Sequence, residues 1–350
     1  MNCRYDTALE PGILIRQFVA YPPEGFDAAQ LPSGVPVFVT DFDLTTTLDK
    51  SLGQRLKALP GHRHWQRWLH WRTRFVGCTA TEYMPLPHAA DPQALVDDIL
   101  QRHAGDSRLL IVKDLALDSP LLGVRENRQA AAFADALAHN GFVLLEGMPL
   151  AWVAIDFESV DEYLARLSAS RRKDIRRKLN ARAGLDIRCL ETGHPWFDDG
   201  AVRRCYALYL NVHAQSQVHF DLLSEAFFKS LLQDRNSSGR MFLYYDDREL
   251  IGWNLCYLYE GKLVDKYVGF RYPQAREHNL YFVSWIHNLQ YALDEGLSHY
   301  VAGWTDSRIK RYLGASITPT WHAVRARNPL LRALLRRCAH LFQGEADGGG

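Results

Sequence analysis

The 350-residue sequence has no apolar run approaching the roughly 20 residues that span a bilayer. Its first residues, MNCRYDTALEPG, include acidic side chains where a signal peptide would have an apolar stretch. Its six cysteines lie far apart without a C-x-x-C pair, so neither a disulfide framework nor a structural zinc site is expected. These absences predict a cytoplasmic protein with reduced thiols and no membrane span.

An excess of charge of one sign is also lacking. Lysine and arginine total 41 against 40 acidic residues, so no overall field attracts nucleic acid or a membrane. Lysine itself is scarce, with nine against thirty-two arginines, so arginine-rich stretches partly reflect composition. With 47% hydrophobic and 23% charged residues, the chain has the composition of a globular protein rather than of a disordered one.

Signatures of covalent catalysis and of metal binding are missing as well. No G-x-S-x-G motif or Cys/His nucleophile pattern occurs, which argues against an acyl-enzyme intermediate. His62 and His64 lie in the segment HRHWQRWLHW, but no acid or cysteine lies close to them. We therefore expect no metal ion, and we interpret this tryptophan-rich segment as an amphipathic helix or lid.

Segments with strand-like and helix-like patterns alternate along the whole chain. In the first part we predict strands at 35–42, 108–115, 142–148 and 151–157, and helices at 92–103 and 127–140. The second part is predicted to contain helices at 203–216 and 224–234, a meander at 241–246, 250–259 and 262–270, a helix ending at Gly296, a strand at 299–304, a helix at 306–313 and a last strand at 317–325. A meander combined with a crossover helix favours the α+β class.

An arginine-rich helix is predicted after the capping box formed by Ser159 and Glu162. Residues 170–183 contain seven cations and one acid, with a narrow apolar stripe. This face either binds phosphate groups of a carrier or is a solvated face paired with acids elsewhere. Binding of an RNA backbone is the weaker form of the phosphate-binding hypothesis, because no aromatic residues are interleaved with the charges.

Asp265 lies in the middle of the mostly apolar strand LVDKYVGF. A buried acid is costly unless it is paired or faces a cleft. Strict alternation would place Asp265 and Tyr267 on one face and Lys266 and Val268 on the other. A structural ion pair of Asp265 with a lysine or arginine is the alternative to a catalytic role.

This order of elements resembles the GNAT superfamily of acyltransferases, and within it the FemAB-like branch of tandem GNAT proteins. The resemblance covers about half of the chain and depends on four stretches, which are SASRRKDIRRKLN (168–180), GRMFLYYDDRELIGWNLCYLYEGKLVDKYVGF (239–270), LYFVSWIHNLQYALDEGLSHYVAGWT (280–305) and KRYLGA (310–315). It implies a mixed sheet flanked by helices in each of two tandem halves. We expect a degenerate half at 1–155, an acyltransferase half at 156–330, and a basic helix with a disordered tail at 331–350.

One departure from the GNAT pattern concerns the acyl donor. CoA-using members have a loop of the form R/Q-x-x-G-x-G/A whose N–H groups hold the pyrophosphate at a helix N-terminus. The corresponding segment here, RYPQAREHNL (271–280), contains no glycine. FemAB-like enzymes take an aminoacyl group from aminoacyl-tRNA, which is consistent with this loss.

The resemblance also implies roles for individual residues. Asp265 would be the base, and the N–H groups near Val268 to Phe270 would stabilise the oxyanion. Tyr267 and Tyr312 would protonate the leaving group, and His219 is a further catalytic candidate. Side chains predicted to contact the donor are Arg172, Arg176, Arg271, Arg276 and Lys310.

The predicted activity is direct transfer of an acyl group from a CoA or carrier-protein thioester, or of an aminoacyl group from aminoacyl-tRNA, onto an amine. These donors would be co-substrates, with no tightly bound cofactor. Expected partners are a small-molecule or peptide amine acceptor and either tRNA or a carrier protein. The alternative is a catalytically silent GNAT-fold module that binds a ligand or a partner.

Overall fold

The computed structural model describes residues 4–43, 70–216 and 220–338. Contacts divide the chain into two compact units. The first unit comprises Met1–Ala8, Gly25–Met148 and Pro319–Gly350, and the second comprises Leu9–Glu24 and Pro149–Thr318. No helix in the described ranges is long and apolar enough to cross a membrane.

Strands and helices alternate along the chain, as predicted. The strands are β1 (Asp27–Gln30), β2 (Pro36–Asp43), β3 (His70–Val76), β4 (Leu109–Leu115), β5 (Val143–Glu146), β6 (Leu150–Ala154), β7 (Asp186–Glu191), β8 (Gly239–Asp246), β9 (Glu249–Tyr259), β10 (Lys262–Phe270), β11 (His299–Gly303), β12 (Ser316–Thr318) and β13 (Trp321–Ala326). The helices are α1 (Ile13–Ala20), α2 (Pro92–His103), α3 (Val124–His139), α4 (Val160–Ala165), α5 (Ala169–Leu179), α6 (Asp199–Gln215), α7 (Glu225–Leu232), α8 (Gln274–Glu277), α9 (Leu280–Asp294), α10 (Ser307–Leu313) and α11 (Pro329–Cys338), with a 3₁₀ turn at Asn180–Gly184.

The first unit contains a six-stranded mixed sheet in the order β1-β2-β3-β4-β13-β5. The pair β3–β4 is parallel and the other neighbours are antiparallel. Helix α2 begins where the carboxylate of Asp91 accepts a hydrogen bond from the N–H of Ala94 at 2.7 Å, as its N-cap position predicts. Apolar residues of α2 and α3, such as Val96 and Phe133, pack in one core with residues of the sheet.

The second unit contains a seven-stranded mixed sheet in the order β12-β6-β11-β10-β9-β8-β7. Here β10–β11 is the parallel pair. Apolar residues of α4, α9 and α10, including Leu164, Leu289 and Leu313, form one buried cluster with residues of the sheet. Ser159 caps α4 through the N–H of Glu162, which confirms the predicted start of that helix.

Both sheets repeat one pattern. An antiparallel meander ends at one strand of a parallel pair, and the other strand of that pair is followed by two antiparallel strands at the edge of the sheet. Counted from the parallel pair outward, these three strands are β4-β13-β5 in the first unit and β11-β6-β12 in the second. The first unit takes β13 from the part of the chain that follows the second unit, whereas β6 lies at the start of the second unit's own segment Pro149–Thr318. The predicted α+β fold with two similar halves is confirmed.

The predicted last strand at 317–325 is wrong in one respect. It is two strands, because β12 pairs with β6 in the second sheet whereas β13 pairs with β4 and β5 in the first. Pro319 lies between them and supplies no N–H for a continuous ladder.

Candidate functional site

The strands β10 and β11 form a splayed pair. Their parallel register runs from Lys262 opposite His299 to Val264 opposite Val301, and it ends there. The antiparallel register of β10 with β9 shifts between Asp265 and Tyr267, which is a β-bulge. Bulges bend a strand and are frequent beside active sites. The opening between β10 and β11 therefore begins at Asp265.

The Asp265 carboxylate is held by uncharged donors. Its Oδ2 accepts from the Tyr300 hydroxyl at 2.9 Å and from Asn288 Nδ2 at 3.0 Å. Its Oδ1 accepts a longer bond of 3.4 Å from Asn254 Nδ2. The carboxylate is thus fixed by amides and a phenol, which is an arrangement different from the structural ion pair considered as its alternative.

Burial raises the pKa of Asp265 to about 6, from an ordinary value of 3.8. The hydrogen bonds from Tyr300 and Asn254 and the positive charge of Lys310 act in the opposite direction, because they favour the ionised form. A carboxylate with this pKa is mostly ionised at neutral pH and still basic enough to accept a proton.

The donors of Asp265 belong to a wider buried network. Asn254 Nδ2 donates to Asn288 Oδ1 at 3.1 Å, and Asn254 Oδ1 accepts from the Tyr244 hydroxyl at 2.7 Å. Both asparagines are fully buried. Sequence reasoning missed Asn254, Asn288 and Tyr300. An amide in the middle of the apolar strand ELIGWNLCYLY and another on the apolar face of α9 were the available signals.

Lys310 is the predicted donor-contact residue that the structure brings close to Asp265. Its buried Nζ donates to the main-chain oxygen of Ala302 at 2.5 Å, at the end of β11. A Cβ at Gly303 would lie 3.8 Å from both Lys310 Nζ and the main-chain oxygen of Asp265. Gly303 has a φ of +81°, which glycine adopts readily.

The predicted placement of Tyr267 beside Asp265 is wrong. Its ring packs against Phe227 and Phe228 of α7, with centroid distances of 6.0 and 5.6 Å. Asp265 instead meets Asn288 of α9, on the other face of the sheet. The bulge at Lys266 inserts one residue and so reverses the alternation that follows Asp265.

Tyr312 contacts the arginine-rich helix α5. Its hydroxyl donates to Asp174 Oδ2 at 2.8 Å, which raises the pKa of Tyr312. Lys178 also pairs with Asp174, and hydrogen bonds from Lys178 and Tyr312 lower the pKa of Asp174 to about 2. Arg171 stacks over the Tyr312 ring at 5.3 Å, so α5 and α10 are held together by charge-assisted contacts.

Arg172 and Arg176 share one face of α5, as predicted, and both contact α4 or its C-terminal end. Arg172 Nη1 donates to the main-chain oxygens of Leu167 at 3.0 Å and Ala165 at 3.3 Å. Arg176 forms an exposed ion pair of 2.8 Å with Asp161. Arg172 is therefore engaged by the protein main chain, whereas Arg176 has a partner that solvent also reaches.

The segment in place of the glycine-rich loop forms the single helical turn α8. Arg271 pairs with Glu249 at 2.6 Å, and Arg276 Nη2 donates to Gln215 Oε1 at 2.6 Å. Asn279, in the left-handed region with a φ of +50°, precedes α9. Residues 271–280 therefore do not form the glycine-containing loop whose main-chain N–H groups hold a pyrophosphate.

Two of the remaining predicted residues, Val268 and Phe270, lie in β10. Val268 packs against the core that includes α9, and Phe270 is buried with its main-chain oxygen accepting from Asn211 Nδ2 at 3.2 Å. His219, together with His62 and His64, lies outside the described residues. The predicted tail after 338 also lies outside them.

Comparison with solved structures shows the fold. The chain is similar to the C-terminal domain of a putative lysylphosphatidylglycerol synthetase from Agrobacterium fabrum, with a TM-score of 0.57, 11% identity, and coverage of 97% of this chain and 95% of that one. It is also similar to L-PGS from Bacillus licheniformis (TM-score 0.54, 11% identity, 96% and 98% covered) and to FemX (0.51, 11%, 93% and 98%).

Comparison with curated proteins gives no match. The FemAB-like family model, described as peptidoglycan biosynthesis/recognition, matches residues 92–343, which is more than two thirds of the sequence. This match supports a transferase connected with peptidoglycan, and the chain belongs to the FemAB-like family.

Proposed function

We propose that this protein transfers an acyl or aminoacyl group directly onto an amine, with Asp265 as the base. The observation that carries the proposal is the partly buried Asp265 carboxylate, held by three neutral donors where β10 and β11 separate. A carboxylate at such a place costs stability. In our proposal the fold retains this carboxylate despite the cost because it accepts a proton in a cleft between β10 and β11.

In the proposed reaction the acceptor nitrogen attacks the donor carbonyl carbon. A C–N bond forms, and the C–O bond of an ester or the C–S bond of a thioester breaks. Asp265 takes the proton that the nitrogen loses, and the leaving oxygen or sulfur finally takes up a proton. Because no enzyme nucleophile is needed, the scheme requires only positioned groups and a base.

The strand β10 and Lys310 supply the remaining electrostatics in this scheme. Main-chain N–H groups between Val268 and Phe270, beyond the last pairing with β11, are proposed to stabilise the oxyanion. Lys310, fixed by the Ala302 carbonyl, favours the ionised state of Asp265 and carries positive charge close to it. Of the two predicted tyrosine acids, Tyr312 remains the candidate, because Tyr267 packs on the opposite face of the sheet.

We favour aminoacyl-tRNA over CoA as the donor. Residues 271–280 contain no glycine, and the side chains of Arg271 and Arg276 already have protein partners. A diphosphate would therefore have to displace these contacts without a main-chain cradle. The acceptor we propose is the amine of a peptidoglycan-type peptide precursor, in keeping with the family.

A donor panel tests this assignment. We would measure the melting temperature with aminoacyl-tRNA, uncharged tRNA, acyl-CoAs and free CoA, and then measure amide formation with a peptide amine. We expect aminoacyl-tRNA to stabilise the protein and to support amide formation. Stabilisation and transfer with an acyl-CoA alone would overturn the choice of donor. If no donor stabilises the protein and no amide forms, the silent binding module replaces the enzyme.

A further inference from the structure

Three arginines of the first unit converge on the residue that follows helix α3. A Cβ placed on Gly141 would lie 3.4 Å from Arg332 Nη1 and 4.0 Å from both Arg325 Nε and Arg336 Nη2. Arg325 lies in β13, and Arg332 and Arg336 lie one turn apart in α11. Three guanidinium groups thus surround one small volume.

These three side chains have no acidic partner among the described residues. None of them forms a hydrogen bond or an ion pair there, and Arg325 Nε is buried without an acceptor. Burial and the charge of Arg332 both lower the pKa of Arg325. Arg336 is exposed and Arg332 is half-buried, so solvent reaches both, whereas the buried Nε of Arg325 lacks an acceptor. An anion bound between the three groups would supply that acceptor and offset their mutual repulsion.

The C-terminus of α3 does not account for this cluster. Its carbonyls are already used, since Leu137 O accepts from the N–H of Phe142 and Ala138 O accepts from that of Gly141, both at 3.1 Å. The helix dipole places only about half a negative charge at this end. That charge offsets a fraction of the three positive charges gathered there.

We propose that Arg325, Arg332 and Arg336 form an anion site that binds the phosphate group of a ligand. Guanidinium groups match phosphate oxygens in bidentate geometry, and three of them suit a doubly charged phosphate monoester or diphosphate better than a single carboxylate. The site lies in the first unit, whereas Asp265 lies in the second, and it does not depend on the proposed transfer reaction.

The probe is sodium pyrophosphate, titrated calorimetrically into the full chain at constant ionic strength. We expect saturable binding to the wild type, and at least about tenfold weaker binding after the double substitution Arg332→Gln and Arg336→Gln, which removes two charge-assisted contacts. The matched control is Arg337→Gln on the same helix, turned by about 100° from Arg336, which should bind as the wild type does. Circular dichroism verifies that each variant is folded.

A second arm distinguishes the source of the phosphate. Vesicles containing phosphatidic acid, whose headgroup is a phosphate monoester, identify a lipid headgroup if they sediment with the wild type but not with the double variant. Pyrophosphate binding without vesicle binding identifies a soluble phosphoester. Both results support the site. Absence of pyrophosphate binding to the wild type would overturn it, as would equal affinity in the double variant.

Discussion

At the scale of single residues, the ionised Asp265 carboxylate lowers the stability of the fold, although the proposed reaction requires it. Its strand is mostly apolar, the donors of its hydrogen bonds are neutral, and burial raises its pKa to about 6. A buried group that is easier to protonate in the folded state than in the unfolded state opposes folding once it ionises. The surrounding network of Asn254, Asn288 and Tyr300 limits this cost and orients the oxygens.

This conflict predicts how stability depends on pH. The ordinary pKa of 3.8 is raised to about 6 on folding, so the destabilisation is absent below pH 4, grows between pH 4 and 6, and stays constant above. Asp265→Asn removes the charge and should stabilise the protein at pH 7.5 by up to about 3 kcal/mol, with no gain at pH 4. Urea unfolding at both pH values measures the difference.

A surface substitution, Asp294→Asn on α9, serves as the control and should give the same small change at both pH values. Asp294 accepts from Gln290 Nε2 one helical turn away and is not part of the buried network. A loss of stability at pH 7.5 in Asp265→Asn would show that the ionised carboxylate stabilises the fold.

The hydroxyl of Tyr300 is expected to set the pH at which Asp265 becomes active. Its hydrogen bond is the foremost of the influences that lower the pKa of Asp265. Tyr300→Phe keeps the edge-on ring contact with Trp285 at 5.1 Å but removes the donor. The midpoint of the pH–rate profile should therefore move upward from about 6, with little change in the rate at high pH.

Tyr291→Phe is the matched control for that experiment. The Tyr291 hydroxyl accepts from Arg240 Nε at 3.1 Å, so its removal also costs one phenolic hydrogen bond. Its profile should coincide with that of the wild type. If Tyr300→Phe leaves the midpoint unchanged, the group that titrates is not Asp265.

At the scale of elements, two arginines on one face of helix α5 make different contacts, which the sequence does not distinguish. Arg172 donates to two main-chain oxygens at the end of α4, whereas Arg176 forms a surface ion pair in which the Asp161 side chain is 79% exposed. We expect Arg172→Ala to lower the unfolding free energy by about 1–2 kcal/mol and to leave donor affinity unchanged.

Arg176→Ala is the partner experiment. Its exposed ion pair should contribute less than about 1 kcal/mol, so stability should hardly change. If α5 contacts the donor, Kd for the donor should rise several-fold in this variant alone. Equal donor affinity in Arg176→Ala and the wild type would remove α5 from the donor site.

Local signals predicted most elements well. Caps at Asp91 and Ser159 and the hairpin turn before Lys262 fixed boundaries to within one or two residues, because side chains near a helix end or turn satisfy the backbone there. The bulge at Lys266 could not be predicted in this way. One inserted residue changes the face of Tyr267, and only pairing with β9 shows that it is inserted.

At the scale of the whole molecule, the place of β13 in the sheet of the first unit was also hidden from the sequence. Strand β13 follows β12 after two residues, so the local pattern predicted one continuous strand at 317–325. Instead β12 pairs with β6 in the second sheet, and β13 pairs with β4 and β5 in the first. The division at residue 155 stays a prediction, and it takes no account of the return of β13 to the first unit.

The pairing of β6 with β11 and β12 predicts how fragments of the second unit fold. A fragment of residues 149–318 keeps β6, whereas 156–318 lacks it and leaves β12 without its pairing partner. Leu150, Ala151 and Val153 of β6 are buried, so their loss should cost several kcal/mol. We expect cooperative thermal unfolding of 149–318, and a much lower melting temperature or no transition for 156–318. Equal melting temperatures would show that β6 is dispensable.

The most direct test of the central claim is the single-turnover rate of amide formation in wild type and Asp265→Asn at saturating donor. The wild-type rate should rise with pH to a plateau with a midpoint of about 6, as the carboxylate ionises. The variant should bind the donor normally, remain folded and lose roughly 10²–10⁴-fold in rate at neutral pH. A variant that forms amide at the wild-type rate with the same pH profile would contradict the assignment of Asp265 as the base.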